Sequence, residues 1–306
     1  MDISRYSYQE HVQFDRQINI LLLGPCGVGK STLVQTILQP QDGTRRGSKK
    51  DIRMAYPTQI KIKVIEPETN NKYLLNIIDT PGLFNSPDIV PGDTINQINN
   101  ELLKLDYIDI ICIMARAEFI HLDDSKEIVM LFNRMKSEYS NISMLILTEC
   151  EKLNQQKLEQ IEEEIKHDNR NIWSHCKLGV SYIGAIDLEF IDSYPNVDNQ
   201  MNVKAKLTNV VIKMKMDLIT KFINTSKYKR IKICRSFLRP WTLRERFSFW
   251  FQKYRKVMIP VCVVIASAFV VTFCIIGYII YSGNSNNNNP TLNNNNSPPN
   301  LTYIQN

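Results

Sequence analysis

The apolar residues of this chain follow two different spacings. Short, almost wholly apolar runs alternate with longer segments in which apolar residues recur every three or four positions. The short runs predict strands buried on both faces, at residues 18–23, 108–114 and 142–147, with a weaker strand at 180–185. The longer segments predict helices, at residues 94–104, 124–139, 154–172 and 200–224. Strands that alternate with helices in this way indicate a three-layer α/β domain with a mostly parallel sheet.

One pair of strands departs from the parallel order. Residues 59–66 alternate polar and apolar positions, as expected of a strand with one buried face. Residues 73–78 form a second run after a turn at residues 67–72, and so short a connection joins antiparallel neighbours. The sequence therefore predicts one antiparallel edge strand beside the parallel sheet, within an α/β domain that covers residues 17–226.

A different pattern follows the α/β region. Residues 257–281 contain no charged residue, and their run exceeds the roughly 20 residues that a helix needs to cross a bilayer. A buried core helix is the alternative, but a helix that is apolar on every side favours a transmembrane span. Residues 282–306 form an asparagine-rich, low-complexity tail that need not fold. Residues 1–16 form a polar leader.

Basic residues are concentrated just before the apolar run. The formal net charge is +6, and residues 227–256 alone hold eleven Lys or Arg and a single Glu. A basic, aromatic segment beside a membrane span favours anionic lipid headgroups as its partner, and no nucleic acid is expected. Residues 237–251 mix Phe, Trp and Leu with Arg, which suits a segment lying in the membrane interface. Because basic flanks stay on the cytosolic side, the α/β domain is expected in the cytosol.

The chain carries no sign of export through its N-terminus, because MDISRYSYQEHVQF has no apolar core. Its seven cysteines form no CxxC pair and indicate a reduced, cytosolic domain. The long span and the asparagine-rich tail favour the endoplasmic reticulum or the plasma membrane. Two Asn-x-Ser/Thr sequons, at Asn295 and Asn300, make glycosylation of the tail a hypothesis.

A phosphate-binding motif lies between the first predicted strand and a helix predicted at residues 31–38. GPCGVGKS (24–31) matches G-x-x-x-x-G-K-[ST], in which backbone N–H groups wrap the phosphates of a nucleotide. The lysine of this motif reaches the β and γ phosphates, its serine binds Mg²⁺, and the helix that follows points its positive end at the anion. The expected phosphate-binding residues are Gly24, Pro25, Cys26, Gly27, Val28, Gly29, Lys30, Ser31 and Thr32, together with Gly82.

A second motif, DTPG (79–82), ends the second strand of the hairpin. An Asp in this position can hold Mg²⁺, and the N–H of Gly82 can meet the γ-phosphate. DTPG is the spelling of GTPases, whereas other P-loop proteins carry an apolar run that ends in Asp-Glu. A threonine that senses the γ-phosphate is expected at Thr58, with Thr44 as the alternative, beside a polar stretch that looks like a ligand-ordered loop. The predicted Mg²⁺ ligands are Ser31, Thr58 and Asp79.

Two residues predict slow hydrolysis of the bound nucleotide. Leu83 follows DTPG, where many small GTPases place a glutamine that orients water. Cys26 places a side chain beside the γ-phosphate, where glycine is commonest. The catalytic residue stays unassigned: Arg116 and His121 are candidates that fit an ordinary surface position as well, and a partner or a second copy of the chain is the alternative.

The segment that should read the base, LILTECEKL (145–153), matches poorly. Guanine is usually read by a carboxylate three residues after an Asn or Thr at a strand end. In one register Thr148 and Glu151 supply this arrangement and keep guanine chemistry. In a second register Lys152 stands where the acid belongs and cannot accept either hydrogen bond. The first register is favoured, with Thr148 and Glu151 as the base-binding residues.

Together these motifs resemble a known family. GPCGVGKST, DTPGLF and ARAEFIHLDDSKEIVMLF (115–132), in this order, resemble the AIG1/GIMAP family of septin-like GTPases over about residues 17–225. The chloroplast-import Toc GTPases, which also carry C-terminal membrane anchors, are a second match. The resemblance implies a membrane-bound GTPase that binds GTP or GDP with Mg²⁺ and that can pair through its nucleotide face. The family's Arg-Lys-x-Asp box suggests the Lys152 register.

Two functions of different class are compatible with the sequence. The first is a membrane-anchored GTP-binding protein that hydrolyses GTP slowly. The second is a nucleotide-binding membrane scaffold whose base site has decayed and which does not hydrolyse nucleotide to a significant extent. They differ in whether Glu151 confers a preference for guanine.

Overall fold

The computed structural model of the chain describes most of the α/β region and the apolar helix. The described residues are 2–5, 13–38, 56–66, 69–83, 91–118, 123–186, 191, 193, 196–233, 237–240 and 242–286. The chain divides into two compact units, Met1–Trp241 and Thr242–Asn306. Thr44, His121 and the two sequon asparagines lie outside the described residues.

Strands and helices alternate along the first unit. In chain order the elements are β1 (Asp2–Arg5), β2 (Arg16–Leu23), α1 (Lys30–Leu38), β3 (Thr58–Ile65), β4 (Lys72–Asp79), α2 (Pro91–Leu102), β5 (Tyr107–Ile108), β6 (Ile110–Arg116), α3 (Asp123–Phe132), a 3₁₀ helix (Ser137–Ile142), β7 (Ser143–Thr148), α4 (Gln155–Asp168), α5 (Arg170–His175), β8 (Val180–Tyr182), α6 (Val197–Ser226), β9 (Ile231–Lys232) and, in the second unit, α7 (Leu243–Asn286).

The main sheet has seven strands in the order β1-β3-β4-β2-β6-β7-β8. The five strands from β4 to β8 run parallel, and β3 runs antiparallel to β4, with Thr58 opposite Asp79. The predicted α/β fold with a mostly parallel sheet and an antiparallel edge is confirmed. The sequence did not predict β1, which lies within the expected leader and pairs antiparallel with β3 to form the outermost strand.

Helices cover both faces of the sheet. Ile20 and Leu22 of β2 share a buried cluster with residues of α1 and α6, among them Leu33 and Phe222. Leu21 of β2 points to the opposite face and is also fully buried. Successive residues of a strand point to opposite faces, so a strand that is apolar throughout needs cover on both sides. The sheet is therefore the middle of three layers.

Two predicted helices end earlier than their apolar spacing indicates. The helix expected at 124–139 ends at Phe132, because Met135 forms an antiparallel bridge with Leu238. The helix expected at 154–172 is interrupted at Asn169, whose backbone (φ −114°, ψ 51°) leaves the helical region. Both ends depend on backbone geometry or on a partner distant in sequence, and neither is visible in the local pattern.

Part of the basic segment folds into the first unit. β9 pairs antiparallel with β5, and the Arg230 guanidinium lies 3.9 Å from the ring centroid of Tyr107. Further along, Phe237 is 1% exposed and Leu238 is fully buried. The ring of Phe237 meets that of Tyr139 edge-on, with centroids 4.6 Å apart. Phe237 and Leu238 therefore belong to a protein core, and the interfacial segment expected at 237–251 cannot include them.

A buried carboxylate ties this segment to the base of the sheet. Asp109 accepts the backbone N–H of Asn19 at 2.8 Å, and it lies 3.5 Å from an Arg16 nitrogen and 3.6 Å from Arg230 Nε. Arg16 also donates to the carbonyl of Ser226, the last residue of α6. Burial raises the pKa of Asp109, while the Asn19 N–H and the two arginines oppose that rise. The carboxylate, just before β6, thus connects β2 with the basic segment, and Arg16 links it to the end of α6.

The second unit is one long helix in its described part. Thr242 and Glu245 exchange hydrogen bonds: Glu245 N donates to Thr242 Oγ1 at 3.3 Å, and Thr242 N donates to Glu245 Oε2 at 2.8 Å. This reciprocal cap starts α7 at Leu243, earlier than the apolar run, so Pro260 lies inside the helix. Within the described residues, one stretch of 19 residues, Val263–Tyr281, is long and apolar enough to cross a membrane, and none of it is buried.

Phe237 provides a test of the docked basic segment. Phe237→Ala should lower the free energy of unfolding of the first unit by about 3–5 kcal/mol, because it leaves a cavity beside Tyr139. Urea unfolding of the full chain in detergent measures this change. Tyr228→Ala, at a side chain that is 88% exposed, is the matched control and should have little effect. Equal unfolding midpoints for the two variants would contradict the docked position of Phe237.

Candidate functional site

The GPCGVGKS segment forms the loop between β2 and α1. Gly24 has φ 151°, and a Cβ there would lie 2.5 Å from the carbonyl oxygen of Met114 on β6, so the backbone passes too close for any side chain. Lys30 begins α1, with Ser31 and Thr32 in its first turn. The loop therefore lies at the carboxyl edge of the sheet, where the N-terminus of α1 offers its free N–H groups to an anion.

The Lys30 side chain lies inside this loop and contacts its backbone. Its Nζ donates to the carbonyl oxygens of Gly24 at 2.9 Å and Pro25 at 2.6 Å, and the residue is only 6% exposed. Burial lowers the pKa of Lys30 to about 8, while the nearby Asp79 carboxylate opposes that fall. A buried ammonium group of this kind is stabilised by any anion that enters the loop.

Asp79 and Ser31 form a pair at the end of β4. Asp79 is 1% exposed, and the Ser31 side chain hydrogen bonds to its carboxylate. The other carboxylate oxygen, Oδ1, is buried and has no hydrogen-bond partner among the described residues. Burial raises the pKa of Asp79. A buried oxygen beside a serine hydroxyl fits a hard divalent cation such as Mg²⁺, which binds oxygen ligands.

Thr58, the third predicted Mg²⁺ ligand, lies across from this pair. It begins β3 and is the register partner of Asp79 in the antiparallel ladder. Directly opposed residues of such a ladder project on the same face of the sheet. Thr58 is exposed, whereas Asp79 is buried. The structure therefore places the three predicted ligands at one edge, with Ser31 and Asp79 in contact.

The DTPG segment lies directly against the loop. A Cβ at Gly82 would lie 2.5 Å from Cα of Cys26, so only glycine fits there. The Thr80 hydroxyl donates to the carbonyl of Leu22 at 2.6 Å. Leu83 follows with 1% exposure, and its N–H points to the carbonyl of Gly24 at 3.4 Å. An apolar, buried side chain in this position cannot orient a water molecule.

The base-side segment is fastened to the same loop. Thr148 ends β7, and its hydroxyl donates to the carbonyl of Val28 at 2.9 Å. Arg116 is the register partner of Thr148 on β6, and its Nη2 donates to the carbonyl of Gly27 at 2.8 Å. The sequence assigned Arg116 only as a candidate for assisting hydrolysis. Its contact with the loop depends on the pairing of β6 with β2, which the local sequence does not reveal.

Glu151 lies between β7 and the segment that follows β8. The backbone N–H of Ala185 points to Glu151 Oε2 at 3.4 Å, and a Cβ at Gly184 would lie 2.7 Å from the same oxygen. Burial raises the pKa of Glu151, and the N–H of Ala185 opposes that rise. Lys152 is exposed. The structure therefore turns Glu151 toward the carboxyl edge of the sheet.

Cys150 lies between Glu149 and Glu151 in the sequence, and its side chain faces the protein interior. It is fully buried, and its Sγ lies 3.3 Å from the carbonyl oxygen of Leu147. Burial raises the pKa of Cys150 to about 12, so the side chain is a neutral thiol at physiological pH. Its packing fixes the turn that follows β7 and therefore the direction of Glu149 and Glu151.

These contacts place two subsites at one edge of the sheet. The first is an anion site with a buried cation, a backbone loop and an orphaned carboxylate oxygen. The second is a carboxylate beside backbone N–H groups at the ends of β7 and β8. A nucleotide has a polyphosphate and a base that match these two subsites, and ligands of α/β sheets bind at this edge.

The chain is similar in sequence to known proteins. The model of the AIG1 family matches residues 18–180, which is more than half of the chain. Cell division control protein 10 of Candida albicans is 39% identical over 87 residues, which cover 28% of this chain and 21% of that protein. The chain thus spans about a fifth of the length of this relative.

Solved structures were also found to be similar. A structure reported with the finding that dimerization is important for the GTPase activity of chloroplast translocon components atToc33 and psToc159 has a TM-score of 0.46 at 18% identity, covering 71% of this chain and 86% of that one. Toc33 from Arabidopsis thaliana in complex with Mg²⁺ and GMPPNP has a TM-score of 0.43 at 19% identity, covering 71% and 88%.

The resemblance carried by the motifs is thereby confirmed. The matched residues include the loop at Gly24–Ser31, the DTPG segment and the Thr148–Glu151 segment. The first unit is a GTP-binding domain of the GTPase type. With its family match over more than half of the sequence, the chain belongs to the AIG1 family.

Proposed function

We propose that this chain is a membrane-anchored GTP-binding protein that hydrolyses GTP slowly and acts as a switch or scaffold. The observation that carries the proposal is the cluster of buried Lys30 and Asp79 with the partly buried Ser31. The cluster contains a desolvated ammonium group at the glycine-rich loop and, at the end of β4, a carboxylate oxygen without a hydrogen-bond partner among the described residues. A Mg²⁺-nucleotide supplies the phosphate oxygens and the cation that these two groups lack.

Different residues of the site would bind the phosphates and the Mg²⁺ ion. Lys30 would exchange its contacts with two loop carbonyls for the β and γ phosphates. Backbone N–H groups from Cys26 to Thr32, with that of Gly82, would surround the same oxygens. Ser31, Asp79 and Thr58 would hold Mg²⁺, which neutralises phosphate charge when it is bound. All of these groups lie at the edge where β2 and β4 end.

Glu151 supports guanine as the base. A carboxylate accepts hydrogen bonds and cannot donate them, and guanine offers an N–H and an amine that point the same way. In the structure the Glu151 carboxylate is within reach of the Ala185 N–H, and Gly184 allows the close approach of the Glu151 side chain to this segment. Thr148 contributes by fastening this segment to the loop rather than by touching the base.

Slow turnover is inferred from the surroundings of the γ-phosphate position. Leu83 is buried and apolar, and Cys26 lies against Gly82. Arg116 is directed to the carbonyl of Gly27, on the base side of the loop. A second copy of the chain, paired through the nucleotide face as the family resemblance implies, would supply the group that assists hydrolysis.

Membrane anchoring is inferred from the second unit. The candidate span Val263–Tyr281 exposes every side chain, including Phe269 and Phe273. An apolar surface of this extent is unfavourable in water and is expected to contact lipid. The exposed Arg244, in the basic part of α7 that precedes the span, would meet anionic headgroups, with the first unit in the cytosol.

The alternative function is a nucleotide-binding scaffold with a degenerate base site. Glu149 favours this alternative, because GTPases usually have at this position a residue whose aliphatic side chain covers the base. Such a protein would bind GTP and ATP equally well and would not release phosphate.

Base preference is the first test. Full-length protein in lipid nanodiscs should bind GTP more tightly than ATP. Glu151→Gln should weaken GTP binding about tenfold to a hundredfold, because an amide cannot accept both guanine donors, and should leave ATP binding unchanged. Fluorescent analogues of the two nucleotides give both dissociation constants.

Lys152→Gln is the control for the second register. It should leave the ratio of GTP to ATP affinity unchanged, since Lys152 is exposed. If Lys152→Gln changes that ratio and Glu151→Gln does not, the Glu151 register is wrong. Equal affinities of the wild type for GTP and ATP would favour the scaffold.

The lowered pKa of Lys30 predicts a pH dependence of GTP binding. Binding requires Lys30 in its charged form, and bound phosphate raises the pKa of Lys30. Above the pKa of the empty site Lys30 is neutral, so GTP binding must then be accompanied by uptake of a proton. GTP affinity should therefore be level below pH 8 and should fall by up to about tenfold per pH unit above it. Titrations between pH 7 and pH 9 measure this slope. Lys30→Arg, which does not titrate in this range, should bind more weakly with no such slope, and an equal slope in both would exclude Lys30 as its source.

The anchor is tested by extraction. The wild type should stay with membranes after alkaline carbonate treatment. Val270→Arg with Phe273→Arg should release it, because each arginine near the middle of the span costs about 2.5–3.5 kcal/mol. Tyr228→Arg, at an exposed side chain of the first unit, should behave as the wild type. A wild type that is extracted completely would contradict the anchor.

A further inference from the structure

A cation lies at the junction between the phosphate loop and the base-reading segment. Arg116 ends β6, and both its Nη2 (2.8 Å) and its Nε (3.2 Å) donate to the carbonyl oxygen of Gly27. The same Nε lies 3.5 Å from Oε1 of Glu149. The guanidinium thus touches the loop on one side and the base-reading segment on the other, although it belongs to neither motif.

Arg116 acts together with its register partner. Arg116 and Thr148 face each other across β6 and β7, and their side chains donate to two consecutive loop carbonyls, those of Gly27 and Val28. A trans peptide points its N–H away from its own carbonyl. Holding these two carbonyls on the sheet side therefore directs the N–H groups of Val28 and Gly29 away from the sheet strands, toward the phosphate side of the loop.

The backbone conformation of Glu149, in the base-reading segment, places its carboxylate near Arg116. Glu149 has φ 63°, in the left-handed region that non-glycine residues seldom adopt. The turn at this residue brings its carboxylate within ion-pair distance of Arg116. A glutamate cannot donate a hydrogen bond to a loop carbonyl when it is ionised. At the carbonyl of Gly27 the donor is Arg116 of β6.

We propose that Arg116, oriented by Glu149, is a positioning residue that couples the phosphate loop to the base-reading segment. The inference rests on the proposed function, because it concerns how that site retains its nucleotide. The nucleotide joins its phosphates to its base through the ribose, so a group that bridges the two segments lies alongside the ribose. Loss of the bridge lets the two segments separate, and nucleotide leaves faster.

The test is the rate at which a fluorescent GDP analogue leaves the full-length protein in nanodiscs. Arg116→Gln should release it about tenfold faster or more, since charge-assisted hydrogen bonds are the strong ones. Arg116→Lys should fall between Arg116→Gln and the wild type, because a lysine lacks the fork that meets two acceptors. Arg170→Gln, at an exposed arginine on α5, is the matched control and should release nucleotide at the wild-type rate.

A double-mutant cycle separates positioning from general stability. Glu149→Arg places the cation on the base-reading segment itself. Arg116→Glu combined with Glu149→Arg should therefore release nucleotide more slowly than the product of the two single effects predicts. A purely structural role would lower the melting temperature of the empty protein and would give independent effects on release.

Three results would overturn the inference. Wild-type release rates in both Arg116→Gln and Glu149→Gln, measured while the wild type binds GTP, would remove Arg116 from the site and leave the proposed function intact. Independent effects of the two charge reversals would exclude the coupling. A wild type that binds no nucleotide would overturn the proposed function, and this inference with it.

Discussion

The nucleotide site depends on a desolvated cluster at the end of β4. Lys30 and Asp79 are both almost fully buried. The ammonium group contacts two loop carbonyls, and one carboxylate oxygen of Asp79 has no hydrogen-bond partner among the described residues. Burial lowers the pKa of the lysine and raises that of the aspartate, because it disfavours the charged form of each group. Such a cluster is unfavourable by itself and becomes favourable when a polyanion and a cation enter together.

The surrounding architecture serves to hold this cluster in register. The close approach of Gly24 to Met114 fixes the loop to β6, and that of Gly82 to Cys26 fixes the DTPG segment to the loop. Thr148 and Arg116 attach the loop to the ends of β7 and β6. The phosphate side is thus rigidly specified. The base side depends on Glu151, whose carboxylate meets one backbone N–H at 3.4 Å.

Periodicity was sufficient to predict the parallel strands of the sheet and its antiparallel neighbour β3, whereas β1 was missed, and the motif located the loop between β2 and α1. The apolar runs that form β2, β6 and β7 were predicted within about two residues of their bounds, because a strand buried on both faces must be apolar throughout. The base-side contacts could not be predicted, because they depend on which residues pair at the ends of β6 and β7. The burial of Phe237 could not be predicted either, because its partner Tyr139 is distant in sequence and the surrounding segment is strongly basic.

The measurement that tests the account most directly is the identity of the nucleotide that remains bound when the full-length protein is purified. Acid extraction followed by chromatography should recover GDP or GTP in an amount close to one per protein chain. The Asp79→Ala variant, which lacks the orphaned carboxylate, should retain much less. Recovery of adenine nucleotides, or of equal amounts of guanine nucleotide from the wild type and the variant, would contradict the account.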